Sequence, residues 1–86
     1  MKEKKKKVYP YLITLRGSGQ VLEEKCETPY EGIQKLKPDV LKSTFVISVR
    51  KGDNYFEKLM PLMLVKRMLV SDFYRQVLGK MLKNAV

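Results

Sequence analysis

The sequence predicts an α+β fold, ββαββα in order, with four strands in one antiparallel sheet and the helices on one face. Three observations lead there. Residues 11–23 read Y-L-I-T-L-R-G-S-G-Q-V-L-E, and 34 positions later residues 45–57 read F-V-I-S-V-R-K-G-D-N-Y-F-E. Each copy alternates apolar and polar residues, passes a glycine-containing turn and resumes as a second strand. Thr28-Pro29-Tyr30-Glu31, just beyond the first copy, has the composition of a helix start. A unit that cannot bury its apolar face alone gives two copies a reason to share one core.

Chain length bounds the organisation. Eighty-six residues suit one domain, read here as residues 8–86, with repeat one at 8–37 and repeat two at 44–83. Residues 2–7 hold five lysines and one glutamate and no apolar residue; this run is expected to be a disordered basic arm.

In the first copy, Tyr9, Tyr11, Ile13 and Leu15 fall on one face of a strand, and Pro10, Leu12, Thr14 and Arg16 on the other. Pro10 cannot donate to a ladder and belongs at the strand's start or on an edge. Ser18-Gly19 fits a two-residue hairpin turn. That register sets Leu15 opposite Leu22, Thr14 opposite Glu23 and Arg16 opposite Val21. The inner face then comprises Tyr11, Ile13, Leu15, Leu22 and Cys26.

Thr28 caps the following helix, Pro29 suits its first turn, and Tyr30, Ile33 and Leu36 face the sheet. The helix should run to about Lys37, where Pro38 stops it. In the second copy, Phe45, Ile47 and Val49 face inward, Gly52-Asp53 makes the turn, and residues 55–60 form the return strand. Val49 lies opposite Phe56, and Ser48 opposite Glu57. A competing helix cap at Asn54 is less consistent, because the matching segment of the first copy is strand-like and Pro61 would sit badly in a helix.

Pro61 opens the last helical region. Residues 62–70 are apolar on most sides, broken by Lys66 and Arg67, and Ser71-Asp72 can cap a second segment over 73–83. There Phe73, Val77 and Met81 form one line, with Tyr74, Leu78 and Leu82 beside it. The region is either one bent, apolar C-terminal helix or two helices. An apolar helix must be covered, and so short a chain has little to cover both sides with. Met60, Met63, Met68 and Met81 cluster here, and flexible thioethers suit either a core or an interaction surface. A homodimer through Met63, Val65, Met68, Leu69 and Phe73 is therefore expected.

Charge carries the functional content. The net charge is +9, and its distribution is uneven. Residues 8–31 hold two cations against four acids, while residues 32–86 hold eleven against four. A basic surface draws polyanions without specifying which.

Several chemistries are set aside. There is no histidine and only one cysteine, which removes finger-type zinc and the usual general base near neutral pH. Cys26 cannot form an internal disulfide, so a reducing, cytoplasmic location is expected; its simplest role is a small buried hydrophobe. Gly17-Ser18-Gly19 joins two strands and lacks the Gly-Lys-Ser/Thr of a phosphate loop. The Glu-x-Lys at Glu23-Glu24-Lys25 precedes Pro38-Asp39, the reverse of the restriction-nuclease order, so no enzyme and no cofactor are expected. The longest apolar-rich stretch, residues 59–70, is too short to span a bilayer, and no membrane partner is expected.

The remaining function is binding nucleic acid, DNA or RNA, mostly through phosphate and with weak sequence preference. Arg50, Lys51, Tyr55, Lys58 and Arg16 are its candidate residues. Arg50 and Arg16 recur at matching places near the turns, and Tyr55 offers a ring for stacking, as does Tyr9. For both arginines the competing role is cross-strand pairing with the recurring acids at diagonal spacing, Arg16 with Glu23 and Arg50 with Glu57, and for Arg16 that role is the simpler one. Lys66, Arg67, Arg75, Lys80 and Lys83 make a second basic set. The alternative is a homo-oligomeric or partner-binding accessory protein that uses the Met/Leu-rich helix without nucleic acid.

Overall fold

A computed structural model describes residues 8–40 and 44–86. The basic arm expected at residues 1–7 lies outside the described residues. The fold is α+β, a four-stranded antiparallel sheet with three helices.

The first hairpin pairs β1 (Tyr11–Gly17) with β2 (Gln20–Cys26). Its turn residues, Ser18 and Gly19, have φ of 52° and 74°. Positive φ at both positions matches the twist of a two-residue hairpin. The second hairpin pairs β3 (Phe45–Lys51) with β4 (Asn54–Met60) through Gly52, φ 62°, and Asp53. Leu15 lies opposite Leu22, Thr14 opposite Glu23, Val49 opposite Phe56 and Ser48 opposite Glu57, the expected registers. β1 and β3 pair antiparallel at the centre, giving the order β2-β1-β3-β4.

α1 (Pro29–Lys35) begins where Thr28 Oγ1 accepts a long 3.4 Å hydrogen bond from the Glu31 amide. It ends two residues earlier than the sequence implies. Leu36 turns extended, with φ −82° and ψ 120°, and sends its side chain into the core. Apolar burial of Leu36 thus ends the helix before Pro38 does.

The C-terminal region is two helices, α2 (Leu62–Val70) and α3 (Asp72–Ala85), in place of one bent helix. Ser71 separates them, and its Oγ accepts from the Tyr74 amide at 3.1 Å, capping α3. The Arg75 guanidinium turns back and donates to the carbonyls of Met68 at 2.9 Å and Leu69 at 3.3 Å. A cation on the open carbonyls of α2 closes its C-terminus and fixes the junction.

The core joins Tyr11, Ile13, Leu15, Cys26, Phe45, Ile47, Val49 and Met60 of the sheet to Ile33 and Leu36, Val65 and Met68, and Leu78 and Leu82. Each helix packs on the sheet, α1 on β1 and β2, α2 on β4, and α3 on β3 and β4. The helices also meet each other closely. A Cβ on Gly79 of α3 would stand 3.0 Å from the Tyr30 backbone of α1.

Candidate nucleic-acid interface

Alternation along the strands sends odd residues of β1 and β3 into the core and even ones to the opposite face. The registers then lay that second face out in rows across β2, β1, β3 and β4. Lys25, Leu12, Arg50 and Tyr55 form one row; Glu23, Thr14, Ser48 and Glu57 form the next; Val21, Arg16, Val46 and Leu59 form the third. The edge-strand members of all three rows are exposed.

Arg50 and Tyr55 are cross-strand partners, with the guanidinium carbon 5.0 Å from the ring centroid. That geometry is a cation–π contact at an exposed site, and Tyr55 keeps 48% of its surface. The Tyr55 hydroxyl donates to Glu57 Oε1 at 2.7 Å, which orients the ring. Arg16 Nη2 donates to the same oxygen at 3.3 Å. Arg16 therefore takes the pairing role, and Glu57 has its charge offset.

Strand parity divides the five predicted residues. Arg16, Arg50 and Tyr55 share the outward face. Lys51 follows Arg50 and points to the other side, where its Nζ sits 5.3 Å from the Tyr11 ring centroid. Lys58 lies between Phe56 and Met60 on the helix-bearing side of β4 and is half-buried. The expected cluster of Arg50 with Lys51 and Lys58 is not assembled. Lys25, which the sequence reasoning passed over, completes the row instead. Its position opposite Leu12 was readable from the first hairpin, but only the β1–β3 pairing brings Leu12 beside Arg50.

The predicted dimer residues divide as well. Val65 and Met68 are fully buried in the core and Leu69 is half-buried. Met63 and Phe73 are exposed, and so are Val70, Val77 and Met81. On α3, Leu78 and Leu82 face the core, while the parallel line through Phe73, Val77 and Met81 faces solvent. Arg75 leaves the second basic set, because its guanidinium serves the α2–α3 junction.

Between α1 and α3 opens a cleft of about 630 Å³ lined in part by Tyr30, Gln76, Lys80 and Lys83. At one side of it, the Tyr30 hydroxyl donates to Asp72 Oδ1 at 2.5 Å and Gln76 donates to Oδ2 at 2.7 Å. Both bonds, that from Tyr30 first, hold the Asp72 carboxyl below its ordinary range, and the bond to Asp72 pushes the Tyr30 phenol up. Burial pushes the Cys26 thiol up, so its reactive thiolate is disfavoured. Among the described residues no group of three His, Cys, Asp or Glu side chains could hold a metal ion, and no helix is long and apolar enough to cross a membrane. No protein-family model, no curated protein and no solved structure matches this chain.

Proposed function

We propose that the protein binds nucleic acid without catalysing a reaction, mainly through phosphate and with little sequence preference. The observation that carries this reading is the Arg50–Tyr55 pair on the outward face of the sheet. Arg50 covers one side of an exposed ring whose hydroxyl is tied to Glu57, a rigid platform for an unstacked base. Lys25 and Arg50, in the same row, supply phosphate contacts. The net charge of +9 adds the long-range attraction.

We read the two hairpins as copies of one unit. Thr14 opposite Glu23 and Ser48 opposite Glu57 are equivalent pairs. Arg16 and Arg50 are equivalent positions with divergent roles, one paired with an acid and one placed over an aromatic ring. The alternative, a homo-oligomeric or partner-binding protein built on the Met/Leu-rich helix, would have to rest on Met63 and Phe73, because Val65 and Met68 are spent in the core.

The test is anisotropy of labelled single-stranded and duplex oligonucleotides titrated at several salt concentrations. The expected result is binding that weakens steeply with salt, varies little with sequence and favours the single strand. Binding that is absent at low salt, or unchanged by salt, refutes the reading.

A further inference from the structure

We propose that the outward side of α2 and α3 docks on an anionic lipid surface. Three of the most exposed large apolar side chains lie here: Met63 at 69%, Val70 at 83% and Phe73 at 76% exposure. Val77 and Met81 continue the line along α3. Exposed Lys66 and Arg67 on α2, and Lys80 and Lys83 on α3, stand among them. The only acid on either helix is Asp72, and its oxygens already accept from Tyr30, Arg75 and Gln76. The face is thus apolar and basic, with its one negative charge engaged. That pairing of properties is what an in-plane helix needs at a headgroup boundary: apolar side chains to bury and cations to meet anionic lipid.

Charge selects this occupant over a second copy. A two-fold dimer through this side would set Lys66, Arg67, Lys80 and Lys83 against the same four residues, and like charges across an interface repel. Shape selects it over a partner helix, which seats in a groove between elements. The depression over the apolar line is lined by Phe73, Gln76, Val77, Lys80, Met81 and Asn84, all from α3, so it is a gap between side chains of one outward helix. The cleft between α1 and α3, which also borders Lys80 and Lys83, is lined by none of Met63, Val70, Phe73, Val77 and Met81. Nucleic acid would satisfy the cations and leave Met63 and Val70 in water. Neither helix is long and apolar enough to cross a bilayer, so the docking is peripheral.

The experiment is flotation of the full chain with vesicles of phosphatidylcholine alone or with added phosphatidylserine. The chain should float with the anionic vesicles and not with the neutral ones. Lys66→Ala and Lys80→Ala should each lower the partition about fivefold, and Phe73→Ser about tenfold. Phe73→Trp introduces the only indole of the chain, and its emission should shift to the blue when anionic vesicles are added. Arg50→Glu, on the other face of the protein, should leave flotation within about twofold of the parent, a charge too far from the surface to matter. Circular dichroism checks that each variant is folded. The proposal is overturned if the parent does not float, if its indole variant binds without a spectral shift, or if Arg50→Glu costs as much as Lys66→Ala. It is equally overturned if sedimentation shows a dimer that Phe73→Ser dissociates while vesicles bind neither form.

Discussion

Arg16 on β1 pairs with Glu57 on β4, although the two strands are not neighbours. The bridge crosses two strand spacings, roughly 10 Å, and so passes over β3. Ser48 opposes both Thr14 and Glu57, and it is only 5% exposed despite lying on the outward face. A small side chain at that position lets the long Arg16 side chain reach across. Both partners are about half exposed, so solvent screens the pair. Arg16→Ala is expected to cost under about 1 kcal/mol, with most of the difference gone at high salt. Urea unfolding at two salt concentrations checks this; a larger, salt-independent loss would mean that Arg16 packs rather than pairs.

Two methionines of α2, five residues apart, should behave oppositely. Met68 is buried and Met63 is mostly exposed. Met68→Ala leaves a cavity and should cost about 2–5 kcal/mol; Met63→Ala should stay within about 0.5 kcal/mol. Chemical denaturation of the two variants decides it, and equal effects would place the core elsewhere.

The junction at Ser71 rests on two polar side chains, Ser71 and Arg75. Ser71→Ala removes the cap of α3 and should cost about 1 kcal/mol. Arg75→Ala frees the carbonyls of Met68 and Leu69 and should cost about 1.5–3 kcal/mol, the range for a charged donor. Thermal melts of both variants give the comparison, and an Arg75 variant as stable as the parent would contradict the clamp.

The Tyr30–Asp72 bond fixes a pH dependence at both ends of the scale. Asp72 is held below its ordinary 3.8, first by Tyr30 and then by Gln76. Its contribution to stability is therefore full above that value and lost as pH falls through the lowered one. Tyr30 is raised above 10.0, first by its bond to Asp72. Its contribution is full below 10.0 and lost as pH rises through the raised value. In an ultraviolet titration, Asp72→Asn should return one late-titrating phenol toward 10.0. The phenol of Tyr74, raised by burial, should stay late. Two phenols shifting together, or none, would contradict the assignment.

Much of the architecture was legible because it is local. Period-2 alternation placed Ile13, Leu15, Ile47 and Val49 in the core, two-residue turns fixed both hairpin registers, and Thr28 and Ser71 announced two helix starts. What was not legible depends on contacts between elements. The Arg16–Glu57 bridge requires β1 beside β3. The burial of Val65 and Met68 requires knowing which side of α2 meets β4. The site was half legible for a simpler reason. Lys51 and Lys58 are near Arg50 in sequence and register, but parity alone puts them on the opposite side of the sheet, and nearness along a strand is not nearness on a face.

The most direct measurement compares Arg50→Glu with Lys58→Glu in binding to one labelled single-stranded oligonucleotide at fixed low salt. The two changes alter net charge equally and lie on opposite faces of the sheet. Arg50→Glu should weaken binding about tenfold or more, a loss of about 1.4 kcal/mol, while Lys58→Glu should stay within about threefold, as expected for a charge away from the contact. Equal losses would show that the sheet face has no special part, and two variants binding as tightly as the parent would remove the site altogether.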